Sequence, residues 1–155
     1  MSRSDLSAPA RTHASVRLHG MLDAPGELTV AQLRELPVSR VEATFDCLGS
    51  GEQRHRFEGP RLWDVVRAAR PVVDLRGRKA RLAFLLAVTG ADGHCAVVSW
   101  AEIDPDFGGQ EILLATSADG TPLDAAGPQL VVPGDRSGAR YISGITDVWV
   151  GPFRG

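Results

Sequence analysis

The chain has only two cysteines, Cys47 and Cys95, in 155 residues. That count excludes a disulfide framework, and two thiols in a chain without a secretory signal read as reduced. A Cys47–Cys95 disulfide is open on count alone but disfavoured in a reducing compartment. No apolar run approaches the ~20 residues of a membrane span, so no membrane partner is expected. The histidines His13, His19, His55 and His94 lack the paired spacing of a zinc site. There is no phosphate loop and no Gly-x-Gly-x-x-Gly. Asp104 and Asp106 flank Pro105, but Phe107-Gly108-Gly109 does not continue as a calcium loop. Ser50 and Ser137 have no visible His–Asp partners. A net charge of −2 excludes nucleic acid as a default partner. The opening MSRSDLSAPARTHAS has no apolar h-region, so we expect no secretory signal and a cytoplasmic location.

What is present points to a globular domain. Hydrophobic residues make up 43% and charged residues 23%, which supports a core without staples at this length. The 17 glycines and 10 prolines sit mostly at corners, favouring a strand-rich fold. We expect a polar leader over 1–14 and one domain over 15–155. Ser15–Gly20 and Val38–Asp46 alternate with the period of half-buried strands. Cys47 then opens a loop containing Gly49 and Gly51. Thr29 with Gln32, and Ser99 with Glu102, have the spacing of capping boxes. Pro60 is placed to start a helix whose buried face is Leu62, Val65, Val66 and Ala69. Leu82–Val88 reads as a central strand, and Asp92-Gly93 as a hairpin turn. Gln53–Phe57, Ile112–Thr116, Leu130–Val132 and Ile145–Val150 read as further strands. Trp63, Trp100 and Trp149 read as packing residues. The basic run from Arg76 to Arg81 reads as a solvated turn. The fold class is α+β with a strand-dominated core and about three short helices.

The stretch EILLATSADGTPLDAAGPQLVVPGDRSGARYISGI, from Glu111 to Ile145, carries more specific information. It resembles the C-terminal part of the oxidoreductase molybdopterin-binding domain of the sulfite oxidase family. Val131-Val132-Pro133-Gly134 and Gly138-Ala139-Arg140 match that family's steps. Phe57 to Val66, FEGPRLWDVV, resembles its helix start, which brings Cys47 into register with the family's metal-binding cysteine. Family residues are missing at three places. Cys47-Leu48-Gly49 is followed by Ser50-Gly51 rather than Asn-Arg. Ile142-Ser143-Gly144 stands where Lys-Trp is usual, and Ala126 replaces a histidine before Gly127-Pro128.

The resemblance implies a strand-rich, mixed-sheet sulfite-oxidase-type fold with short helices. It also implies a molybdenum–molybdopterin cofactor. Cys47 would be the thiolate ligand, a soft donor suited to a metal already held by sulfur. Gly49 would let the chain approach the cofactor, and Gly138 and Arg140 would line its pterin side. Arg54 and Arg56, on one strand face with His55 on the other, would face Cys47 and attract a small oxoanion substrate. The implied reaction is oxygen-atom transfer. With no haem motif in the chain, the electron acceptor would be a separate redox protein. Other readings stay open. Cys47 is also a residue type that packs as a small buried apolar group, and Arg54 and Arg56 also suit the solvated face of an edge hairpin. The chain is then a cofactor-free binding or scaffold module of the same fold. A cofactor held across a homodimer interface is a third reading.

Overall fold

The computed structural model describes residues 14–74 and 76–154. Most of the expected leader therefore lies outside the described residues; Ala14 is tied down, its N–H donating to the Asp124 carbonyl at 2.9 Å.

Strand β1 (Ser15–Gly20) pairs antiparallel with β2 (Gly26–Thr29), a strand that the sequence reading did not assign. On its other side β1 runs parallel to β11 (Ile145–Pro152). Next come β5 (Phe84–Gly90) and β6 (Cys95–Ser99), both antiparallel to their neighbours. The five-stranded order is β2-β1-β11-β5-β6, so the sheet is mixed and β11 is its centre. The apolar run expected at 82–88 forms, from Phe84 on, an interior strand of this sheet, paired on both sides. Its start belongs to a helix over Arg78–Leu82, where a solvated turn was expected, and Arg81 in that helix is buried.

A second sheet holds β3 (Ser39–Cys47), β4 (Gly51–Gly59), β8 (Ser117–Ala118) and β9 (Thr121–Pro122) in that order. A short pair joins β7 (Leu113–Ala115) to β10 (Gln129–Val131). The helix Leu62–Ala68, preceded by Arg61 rather than started by Pro60, buries Leu62, Val65 and Val66. The Pro60 carbonyl instead accepts from the Leu114 N–H at 3.0 Å. The inward faces bury Val16, Leu18, Leu86, Val88, Val148 and Val150 against Leu62, Val65, Val66, Leu114 and Leu130 in one apolar cluster. Gly59 lets β4 cross closely over β7, since a Cβ there would lie 2.4 Å from the Leu114 carbonyl oxygen. That crossing anchors the base of the β3–β4 hairpin, whose far end carries Cys47.

Both capping boxes form. Gln32 N–H meets Thr29 Oγ1 at 3.1 Å, and Thr29 N–H meets Gln32 Oε1 at 2.8 Å. They open two one-turn helices, Val30–Leu33 and Trp100–Ile103.

Candidate functional site

Cys47 is the last residue of β3, not the opening of a loose loop. It pairs with Gly51 across a tight turn, and the Ser50 N–H donates to the Cys47 carbonyl at 3.0 Å. Gly49 and Gly51 take positive φ of 85° and 74°, the left-handed conformation that such a turn needs and that glycine adopts without strain. The sulfur is therefore carried on rigid backbone. It is half-buried, and neither cysteine is disulfide-bonded.

Strand alternation decides what shares its face. Residues directly opposite in an antiparallel pair lie on one face. Cys47 pairs with Gly51, Phe45 with Gln53 and Ala43 with His55, whereas Thr44 pairs with Arg54 and Glu42 with Arg56. Arg54 and Arg56 thus stand on the face away from Cys47, which corrects the expectation that they face the sulfur. Arg54 Nη2 donates to Glu42 Oε1 at 2.7 Å in an exposed pair. Glu42 is held below the usual carboxylate range by that hydrogen bond and by the charge of Arg54.

The inner face is aromatic. Phe45 stacks on Tyr141 with ring centroids 3.9 Å apart, and His55 lies 5.8 Å from Phe45. The Tyr141 hydroxyl donates to the Val132 carbonyl at 2.8 Å. Burial, with a smaller contribution from the Asp135 charge, pushes this phenol up to about 12. His55 closes the hairpin edge, Nδ1 lying 2.6 Å from Asp119 Oδ2 and Nε2 3.0 Å from Gln53 Oε1. A cleft of about 270 Å³ beside it is lined by Glu42, Arg54, His55, Arg56 and Asp119. The strand pattern alone gave no signal for the His55–Asp119 contact, which spans 64 residues.

The Gly-Ala-Arg step comes back to the same place. Residues 138–140 form one 3-10 turn, capped by Ser137 Oγ, which accepts from the Ala139 N–H at 3.2 Å. The preceding segment is stitched to β3, the Asp46 N–H donating to the Arg136 carbonyl at 2.7 Å. Gly138 then lies against the site. A Cβ on it would stand 2.7 Å from Phe45 Cδ2 and 3.4 Å from Cys47 Sγ. The structure therefore brings Cys47 and Gly138 together.

Arg140 points elsewhere. Its Nε donates to Asp135 Oδ2 at 2.8 Å, Nη2 to Asp135 Oδ1 and Glu102 Oε1 at 3.0 Å each, and Nη1 to the Val97 carbonyl at 3.0 Å. Hydrogen bonds to the two carboxylates, Asp135 foremost, raise its affinity for the proton still further. Asp135 was not singled out in the sequence. The Ser99–Glu102 capping spacing was visible, but not that the same carboxylate also serves an arginine 38 residues on.

One family model covers residues 6–151, that of the oxidoreductase molybdopterin binding domain. The chain belongs to this family. No curated protein matches it. Among solved structures, the molybdopterin-binding-type fold matches the sulfane dehydrogenase SoxCD from Paracoccus pantotrophus, with a TM-score of 0.69 and 16% identity. The match covers 88% of this chain and 38% of that one, so the chain spans well under half the neighbour's length.

The family's group can be tested against these residues. Among the described residues, no three His, Cys, Asp or Glu side chains gather to cage a free metal ion. A single half-exposed thiol on a rigid turn suits a metal whose other ligands arrive with it, as they do in a pterin dithiolene. The residues thus fit the metal end of the group. On the pterin side, the Arg140 guanidinium expected there is engaged with Asp135, Glu102 and the Val97 carbonyl.

Proposed function

We propose that this oxidoreductase-type domain binds molybdenum–molybdopterin through Cys47 Sγ. Its substrate class would be a small oxoanion or oxide, with electrons passed to a separate redox protein. When bound, the group supplies the two-electron oxygen-atom chemistry. The protein's own residues supply position. Cys47 offers a thiolate, Gly49 shapes the turn beneath it, and Gly138 leaves room beside it. Phe45 and Tyr141 wall the inner side against water. Arg54 and Arg56, at the rim, would draw an anion toward the hairpin through their field rather than by contact at the sulfur. The named activity of SoxCD suggests sulfur-containing substrates within this class. Two unpaired thiols suit a reducing compartment such as the cytoplasm.

The observation that carries this reading is the half-exposed Cys47 sulfur against Gly138 at the end of an anchored hairpin. A second reading has its own support. The commitment of Arg140 to two carboxylates, and the outward face of Arg54 and Arg56, favour a cofactor-free binding module. One experiment separates them. The protein is purified from a host that makes the cofactor, molybdenum is measured by elemental analysis, and the pterin by its fluorescent oxidation product. Stoichiometric metal that is lost in Cys47→Ala supports the first reading. Absence of metal from both proteins leaves the second.

A further inference from the structure

We propose that Arg140 is a positioning residue for Cys47, acting through Gly138 rather than by contact with a bound anion. This inference rests on the reading of Cys47 as the site's thiolate. Its physical content, control of the sulfur's exposure, stands apart from whether a cofactor is bound.

Arg140 joins its own loop to one stretch of chain that is distant in sequence, residues 97–102. Asp135 lies in its own loop, Glu102 in the helix Trp100–Ile103, and the Val97 carbonyl on the edge strand β6. The carboxylates are partly buried, with side-chain exposures of 23% for Glu102 and 28% for Asp135. At such exposure, charge-assisted and bidentate hydrogen bonds keep more of their strength than at an open surface. Glu102 is itself held by its cap, its Oε2 accepting from the Ser99 N–H at 2.8 Å. The guanidinium therefore fastens the 135–140 loop to a part of the molecule that does not move with it. At the other end of the loop, Gly138 packs on Phe45 and beside Cys47 Sγ. The segment is also held by the bond from the Asp46 N–H to the Arg136 carbonyl, the Ser137–Ala139 cap, the Asp46–Ser137 bridge and the stack of the adjoining Tyr141 on Phe45, but none of these ties it to residues 97–102. Releasing the arginine lets the loop lift, and the sulfur loses its cover.

The test uses the full chain with Cys95→Ser, so that iodoacetamide reports on Cys47 alone. Protein made in a host without the cofactor pathway keeps the thiol free whichever functional reading holds. Arg140→Ala is expected to raise the alkylation rate of Cys47 by about tenfold or more, the local opening having become easier. Glu102→Gln, which retains the capping oxygen, and Asp135→Asn should each raise it by a smaller factor. Neither should add to the effect of Arg140→Ala when combined with it, since all three release one clamp. Arg140→Lys should fall between parent and alanine, because an ammonium cannot span both carboxylates. Thr29→Ala, a cap on a different helix, should lower stability and leave the Cys47 rate unchanged. An unchanged rate in folded Arg140→Ala would overturn the proposal. So would an equal rise in Thr29→Ala, which would mean general loosening.

A second arm uses protein from a cofactor-making host and measures bound molybdenum. Positioning predicts that Glu102→Gln loses metal alongside Arg140→Ala. Direct anion binding predicts the reverse for Glu102→Gln, because the freed guanidinium would hold the anion better, and that result also overturns the proposal. Absence of metal from the parent protein sinks the cofactor reading alone and leaves the alkylation result to decide the clamp.

Discussion

Tyr141 is the only tyrosine in the chain, which makes one side chain separately observable. Its ring is stacked on Phe45 and its hydroxyl is bonded to the Val132 carbonyl, so its ionisation reports on the inner wall of the site. Burial favours the neutral phenol and lifts it to about 12. A group held neutral in the fold binds its proton more tightly there than in the unfolded chain, where its value is about 10. The resulting stabilisation is fully present below about pH 10 and is lost as pH climbs toward about 12. Absorbance at 295 nm should therefore show no phenolate below about pH 11 in the folded protein and a normal titration in denaturant. Phenolate appearing near pH 10 under native conditions would mean that the aromatic wall is open to water. Cys47 shares this face, so a closed wall also restricts approach to the sulfur from the inner side.

Capping boxes show how little sequence is needed to place an element and how little that element does alone. The helix Val30–Leu33 is one turn long, too short to stand by its own hydrogen bonds. It persists because Thr29 and Gln32 satisfy its exposed N–H groups and because Val30 and Leu33 are buried. Thr29→Ala should cost about 1 kcal/mol and lower the melting temperature by roughly 2–4 °C for a protein of this size. Thermal unfolding followed by circular dichroism checks it. A loss well beyond that range would mean that Thr29 supports more than the cap. The hairpin β3–β4 behaves in the opposite way. Its strands were legible from their alternation, and its functional meaning came from the register, which put Gln53 and His55 beside the Cys47 face and Arg54 and Arg56 behind it.

At the scale of the molecule, three short helices and strand β5 meet around Trp100. Its indole is fully buried, sits edge-on to Trp63 at 5.3 Å and to Phe84 at 5.8 Å, and donates from Nε1 to Asp104 Oδ2 at 2.7 Å. Asp104 in turn holds the buried Arg81 at 3.0 Å. Trp100→Ala should cost roughly 3–5 kcal/mol, a large share of the roughly 5–15 kcal/mol that holds a typical native protein together. Urea unfolding should show the midpoint falling sharply with little change in slope. A small shift would mean that this cluster is peripheral to the cooperative core. Family membership and the strand-rich α+β character were legible from the chain alone, because glycine turns, caps and period-two strands are encoded within a few neighbouring residues. That Cys47 adjoins an alternating strand was legible for the same reason, although it is the strand's last residue rather than the opening of a loop. The burial of Arg81, its guanidinium shared between Asp104 and Asp106, was not, and neither was the capture of Arg140 by Glu102 and Asp135. Only the tertiary structure decided those, because a charge's partner depends on which distant elements pack beside it. The facing of Arg54 and Arg56 was decided there too, since a strand's own alternation says which residues share a face but not which face looks inward.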